Sequence, residues 1–142
     1  MSNIYSENIL HYYKNPKNKG KLDNPTLEFS ENNPLCGDHL EMQVNLDEND
    51  KIIDIKWDGQ GCAISQASAS ILTQMVKLEG MNLDDVRKFD KDVLLEEIGI
   101  NLSPNRIKCA LLSISTLKSG VITYIGMRES GDIMVKSEKG KD

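Results

Sequence analysis

Leu40, Met42, Val44 and Leu46 alternate with Glu41, Gln43 and Asn45. A period of two is the pattern of a half-buried strand. After the polar run Asp47-Glu-Asn-Asp50, the residues Ile53, Ile55 and Trp57 alternate again. The short connection makes the two strands an antiparallel hairpin. No other feature constrains the chain as tightly, because the loop before the first strand and the loop after the second must meet at one end. Pairing Leu46 with about Ile52 puts Asp38 opposite about Gln60. Cys36 and Asp38 on one loop are thereby brought near Cys62 on the other, although the two cysteines lie 26 positions apart.

The second loop leads into Asp58-Gly-Gln-Gly-Cys-Ala-Ile-Ser-Gln-Ala-Ser-Ala-Ser70, read as a strand end, a glycine turn and a helix start. Gly59 and Gly61 permit a tight backbone path. Cys62 falls at the helix N-terminus, where free N–H groups favour a thiolate. The small residues after it let other segments approach closely. The helix is expected from about Cys62 to Leu78, with Ile64, Ala67, Ile71, Met75 and Leu78 on one face and Gly80 as its stop. Asn82 and Asp90 are expected as N-caps of two short helices and Gly99 as a C-terminal stop.

Ser103 and Pro104 open the last long helix, whose stripe is Ile107, Ala110, Leu111, Ile114, Leu117 and Val121. At about 100° per residue, Cys62 lies roughly 165° and Cys109 roughly 130° from the centre of their stripes. A packing cysteine belongs on the stripe, so both are read as functional. Residues 3–14 suggest a helix with Ile4 and Leu10 on an apolar side, ended by Asn15-Pro16. Its Tyr5, His11, Tyr12 and Tyr13 are read as docking anchors rather than chemical groups. Lys14–Lys21 is a polar, basic loop, and Leu27 and Phe29 mark a short strand.

The 142 residues suit one domain, expected over 1–127, with a charged tail over 128–142. A net charge of −5 argues against a nucleic-acid partner. No apolar run is read as approaching the roughly 18–20 residues that span a membrane. The first residues do not read as a signal peptide, so the expected location is the cytoplasm. Three cysteines is an odd count for a disulfide framework.

Thiolates bind zinc and iron–sulfur clusters well. With Asp38 the three cysteines make a four-donor set whose odd carboxylate suggests a site built to exchange. A zinc hydrolase is disfavoured, since three thiolates make a poor Lewis acid and no general base is evident. A zinc module that only binds partners is the remaining structural alternative.

Asn33-Pro-Leu-Cys-Gly-Asp38, Gly59-Gln-Gly-Cys-Ala-Ile-Ser-Gln-Ala-Ser-Ala-Ser70 and Arg106-Ile-Lys-Cys109 resemble the motifs of the U-type iron–sulfur cluster assembly scaffolds (IscU, SufU and the NifU N-terminal domain). The resemblance runs from Tyr5 to about Val121. It implies an α+β fold, a small antiparallel three-stranded sheet packed with several helices. It implies a scaffold rather than an enzyme, taking persulfide sulfur from a cysteine desulfurase. The scaffold builds a labile [2Fe–2S] cluster and passes it to recipient apo-proteins or downstream carriers. Cys36, Asp38, Cys62 and Cys109 would hold iron, the cluster or zinc. Cys109 would accept the persulfide, with Lys108 and Arg106 supplying positive charge beside it.

The alternative within the family is a zinc-bound sulfurtransferase that never holds a cluster. Isc-type members carry histidine where this chain has Lys108. They also carry Leu-Pro-Pro-Val-Lys where it has Leu102-Ser-Pro-Asn-Arg106, which argues against their Hsp70 chaperone as a partner. The 47 positions from Cys62 to Cys109 lack the insertion of the SufU branch, so the chain mixes features of both. His39 is read as an outward strand residue rather than a ligand.

Overall fold

The structure, a computed structural model, describes residues 7–33, 37–99 and 102–131. Cys36, Tyr5 and most of the expected tail lie outside the described residues. The element order is α1 (Glu7–Lys14), β1 (Leu27–Asn33), β2 (Asp38–Leu46), β3 (Ile52–Gln60), α2 (Ala63–Glu79), α3 (Leu83–Lys88), α4 (Lys91–Ile98) and α5 (Pro104–Ser130). The strands form one antiparallel sheet in the order β1-β2-β3. This is the α+β architecture expected above.

The hairpin forms with Leu46 opposite Ile52, as the alternation predicts. A register shift between Asn45 and Leu46 moves every later pair by one residue, so His39, not Asp38, faces Gln60. The extra residue of the bulge is Ile53, which is 58% exposed while Ile52 and Ile55 are buried. One sheet face carries Leu40, Met42, Val44, Ile55 and Trp57 into the core. The helices α2 and α5 lie against the sheet and against each other.

Gly120 on α5 gives β1 its seat, because a Cβ there would overlap the ring of Phe29. Capping follows the sequence: Asn82 and Asp85 make a reciprocal capping box, Asp90 accepts from the Asp92 N–H, and Ser103 accepts from the Arg106 N–H. Each such cap is worth about 1 kcal/mol.

Several expectations shift. On α1 the fully buried residue is Ile9, and Leu10 is exposed. On α2 the expected Ile64, Ala67 and Ile71 are buried and Met75 packs partly buried on the core, but burial extends further, to Ser68, Leu72 and Val76. Leu78, about 200° on from Val76, points away and is 78% exposed. The charged tail expected from residue 128 begins inside a helix, since α5 continues to Ser130. Arg128 donates to both carboxylate oxygens of Asp50, each bond 2.9 Å, and so ties the helix end to the β2–β3 turn.

The helix over residues 106–130 also holds an 18-residue stretch with a mean hydropathy of 1.3, long and apolar enough to cross a membrane, contrary to the expectation from the sequence. Half of that stretch is buried within the protein, and α5 contacts β1, β2, α2, α3 and α4. Its apolarity is that of a core helix.

Candidate metal centre

The centre is built where β2 begins, β3 ends and α2 starts. Cys62 is the N-cap residue of α2, with extended backbone and no capping bond from its own side chain. Its N–H instead donates to Asp38 Oδ1 at 3.0 Å. The other carboxylate oxygen, Oδ2, lies 3.7 Å from Cys62 Sγ. Asp38 thus spans the gap between strand and helix, and it is 2% exposed.

Two glycines make this approach possible. A Cβ on Gly59 would overlap the His39 carbonyl on the neighbouring strand. A Cβ on Gly61 would come within 2.6 Å of both Asp38 Oδ1 and Ser65 Oγ. The expected glycine turn is therefore needed chiefly for close passage. Only Gly59, with φ +152°, also needs glycine's backbone freedom.

Cys109, from the second turn of α5, completes the group. One ligand atom from each of Asp38, Cys62 and Cys109 lies within 4.8 Å of the others. Tetrahedral coordination at ordinary zinc–sulfur and zinc–oxygen lengths separates a thiolate and a carboxylate oxygen by about 3.6 Å. The Asp38–Cys62 spacing matches that figure. Asp38 is also a buried carboxylate with no cationic side chain in ion-pair range among the described residues. Burying an unpaired charge is costly. A metal ion held between carboxylate and thiolates would remove that cost, so the donor set fits the group the sequence implies.

Cys109 is 4% exposed, whereas its offset from the stripe suggested a sulfur presented away from the core. The offset is real, but α5 is packed on several sides, so a direction off the main stripe is still interior. There its sulfur lies within 4.8 Å of that of half-buried Cys62. Lys108, beside Cys109 in sequence, is exposed. It lines a separate groove with Glu31, Asn32, Leu111 and Ser115. His39 points to the outer face of the sheet, where its ring bonds Asn32 and Glu41, in keeping with its reading as a non-ligand.

Residues not singled out from the sequence support the centre. Ser65 Oγ donates to the Cys62 carbonyl at 3.0 Å and lies 3.9 Å from Cys62 Sγ. Gln66 Nε2 donates to the Gly61 carbonyl at 2.9 Å. Buried Ser68 bonds the Ala110 carbonyl and Ser113 Oγ, fixing α5 against α2 next to Cys109. The signal was the density of small polar residues after Cys62, which is low in bulk and rich in hydroxyls.

Residues 4–130 match the family described as the NifU-like N-terminal domain. The chain belongs to that family. Among curated members, the zinc-dependent sulfurtransferase SufU of Bacillus subtilis is 36% identical, over 85% of this chain and 91% of that protein. The scaffold protein IscU of Escherichia coli K12 is 30% identical, over 89% and 98%. Among solved structures, a protein of Fervidobacterium islandicum AW-1, described as a candidate SUF-system scaffold for cluster assembly, superposes with a TM-score of 0.71. It is 32% identical, covering 83% of this chain and 96% of that one. The NifU-like chain is thus similar at comparable levels to members named for scaffolding and for sulfur transfer.

Proposed function

We propose that this protein is a scaffold for iron–sulfur cluster assembly that accepts persulfide sulfur from a cysteine desulfurase. It assembles a labile [2Fe–2S] cluster and hands it to recipient apo-proteins or cluster carriers. The observation that carries this reading is the meeting of Asp38, Cys62 and Cys109 within 4.8 Å in a chain of this family. Cys36 is assigned as the fourth donor from the motif. The cargo is a substrate of the scaffold, and the protein's task is to present donors and release them.

In sulfur acceptance the Cys109 thiolate attacks the terminal sulfur of the desulfurase persulfide. A new S–S bond forms on Cys109, the donor S–S bond breaks, and the desulfurase thiolate leaves. Oxidation state is conserved overall. Lys108, one residue away in sequence, faces the neighbouring groove, so its role here is that of a positive charge near the approach of the donor rather than a group in contact with the reacting sulfurs. Asp38 supplies the hard oxygen donor among soft ones, which favours ligand exchange. We assign the work to the cytoplasm.

A second reading is favoured by the 36% identity to the Bacillus subtilis zinc-dependent sulfurtransferase. There zinc would occupy the same donors and the protein would relay sulfur without holding a cluster. Protein purified without oxygen separates the two. Iron with acid-labile sulfide, and visible bands that fade as a recipient gains its cluster, support the scaffold. Colourless protein with stoichiometric zinc that stimulates a desulfurase supports the relay. Cys109→Ser should abolish labelled-sulfur acceptance in either case, and normal acceptance by that variant refutes the role given to Cys109.

A further inference from the structure

Lys14 at the end of α1 and Lys17, Lys19 and Lys21 on the loop after it fall within eight residues that hold no acidic residue, in a chain of net charge −5. All four side chains are exposed. Lys21 lies 3.9 Å from Glu41. Lys14, Lys17 and Lys19 have no carboxylate in ion-pair range among the described residues.

This loop is held firmly. The Trp57 N–H donates to the Asn18 carbonyl at 3.0 Å and the Gly20 N–H to the Trp57 carbonyl at 2.8 Å. The indole Nε1 donates to the Lys17 carbonyl at 2.7 Å. The Lys17 N–H donates to Ser70 Oγ, and Asn18 Nδ2 to Thr73 Oγ1, both on α2. The loop therefore runs as a partial extra strand along the β3 edge, bridged to it in parallel at Lys19 and Trp57. A solvated flexible run of lysines would leave its backbone to water; this one is bonded to the core.

The strap also adjoins the centre. Lys19 Nζ lies 5.3 Å from the Trp57 ring centroid and 3.5 Å from Gln66 Oε1. Gln66 in turn bonds the carbonyl of Gly61, the residue before Cys62. One side chain separates the strap from the loop that carries a sulfur.

We infer that Lys14, Lys17 and Lys19 form a docking surface for an acidic face of the protein that donates sulfur. The inference rests on the sulfur-acceptor reading above. The strap is fixed by the protein's own bonds and needs no cargo to form it. It is thus presented on the empty protein, the form a sulfur donor meets, rather than only on the loaded form a recipient meets. Complementary charge of this kind sets encounter rate and salt dependence more than the chemical step.

The test is binding of the purified cysteine desulfurase from the same organism, with no cysteine added. Wild type is compared with the Lys14→Glu/Lys17→Glu/Lys19→Glu variant. Expected is a Kd raised about tenfold or more at low salt. Wild-type binding should weaken steeply with salt, and the variant's should not. Zinc content should be unchanged in the variant. With cysteine added, labelled-sulfur transfer at saturating acceptor should keep its maximal rate. The Gln triple variant should fall between the two, and it serves in place of the Glu variant if that one does not fold.

Affinities within twofold, or equal salt slopes, overturn the inference. So does binding of the desulfurase only to cluster-loaded protein. Tighter lysine-dependent binding of duplex DNA or phosphatidylserine vesicles overturns it in favour of another polyanion. Because binding is read without sulfur transfer, a wild type that docks but accepts no sulfur refutes the acceptor role and leaves the docking surface standing.

Discussion

Gly61→Ala tests the centre's architecture through a methyl group. Gly61 does not have a positive φ, so alanine meets no backbone strain. By itself the change should stabilise the fold by about 0.4–1 kcal/mol, through lower entropy of the unfolded chain. The new Cβ, however, would lie 2.6 Å from Asp38 Oδ1 and 2.8 Å from Asp38 Cγ. Ser65 Oγ, equally close, can rotate aside. The Asp38 carboxylate is 2% exposed and bonded to the Cys62 N–H, so it has less room. Displacing it breaks a hydrogen bond to a charged acceptor, worth about 1.5–3 kcal/mol. The net expectation is a loss of about 1–2 kcal/mol. In an Asp38→Ala background the obstruction is gone, and the same substitution should become neutral or stabilising. Urea unfolding of the four proteins of this cycle, in chelator to keep them metal-free, measures the coupling. Equal destabilisation in both backgrounds would mean that Gly61 is not needed for the approach of Asp38.

Asp38→Ala alone should slow the loss of a reconstituted cluster to a chelator, because the exchangeable oxygen donor is removed; visible absorbance follows it, and unchanged or faster loss contradicts the role. Asp50→Asn removes the two-pronged pair with Arg128, whose guanidinium is held more firmly protonated by the Asp50 hydrogen bonds. Both partners are about a third exposed or less, and the expected cost is about 0.5–1 kcal/mol, read as a melting point lowered by a few degrees. Asn tolerates the positive φ of residue 50, so a loss of that size reports the ion pair rather than the turn.

The hairpin, the glycine turn and the caps were legible because each is local: an alternation, a tight passage, a hydroxyl or carboxylate before a helix. Asp38 and Cys62 could be brought together from those alone. The one-residue register error arose at Ile53, where a bulge leaves an apolar residue in solvent and alternation gives no warning. Leu78 and Leu10 were misassigned because more than one face of each helix fits an apolar stripe, and only packing decides which is covered. The burial of Cys109 depends on how many neighbours surround α5, which periodicity does not encode. The roles of Ser65, Gln66 and Ser68 needed the geometry, since a run of small residues reads as space before it reads as hydrogen bonds.

The two oxygens of Asp38 serve different masters. Oδ1 is committed to the N–H of Cys62, the N-cap of α2, and Oδ2 faces the Cys62 sulfur. A residue divided in this way does not swing free when its cargo departs, because half of its bonding belongs to the fold. The vacant centre should therefore keep its shape between one delivery and the next. Reloading then asks the chain only to exchange ligands, not to rebuild the pocket, and the speed of a cycle is left to the proteins that come and go.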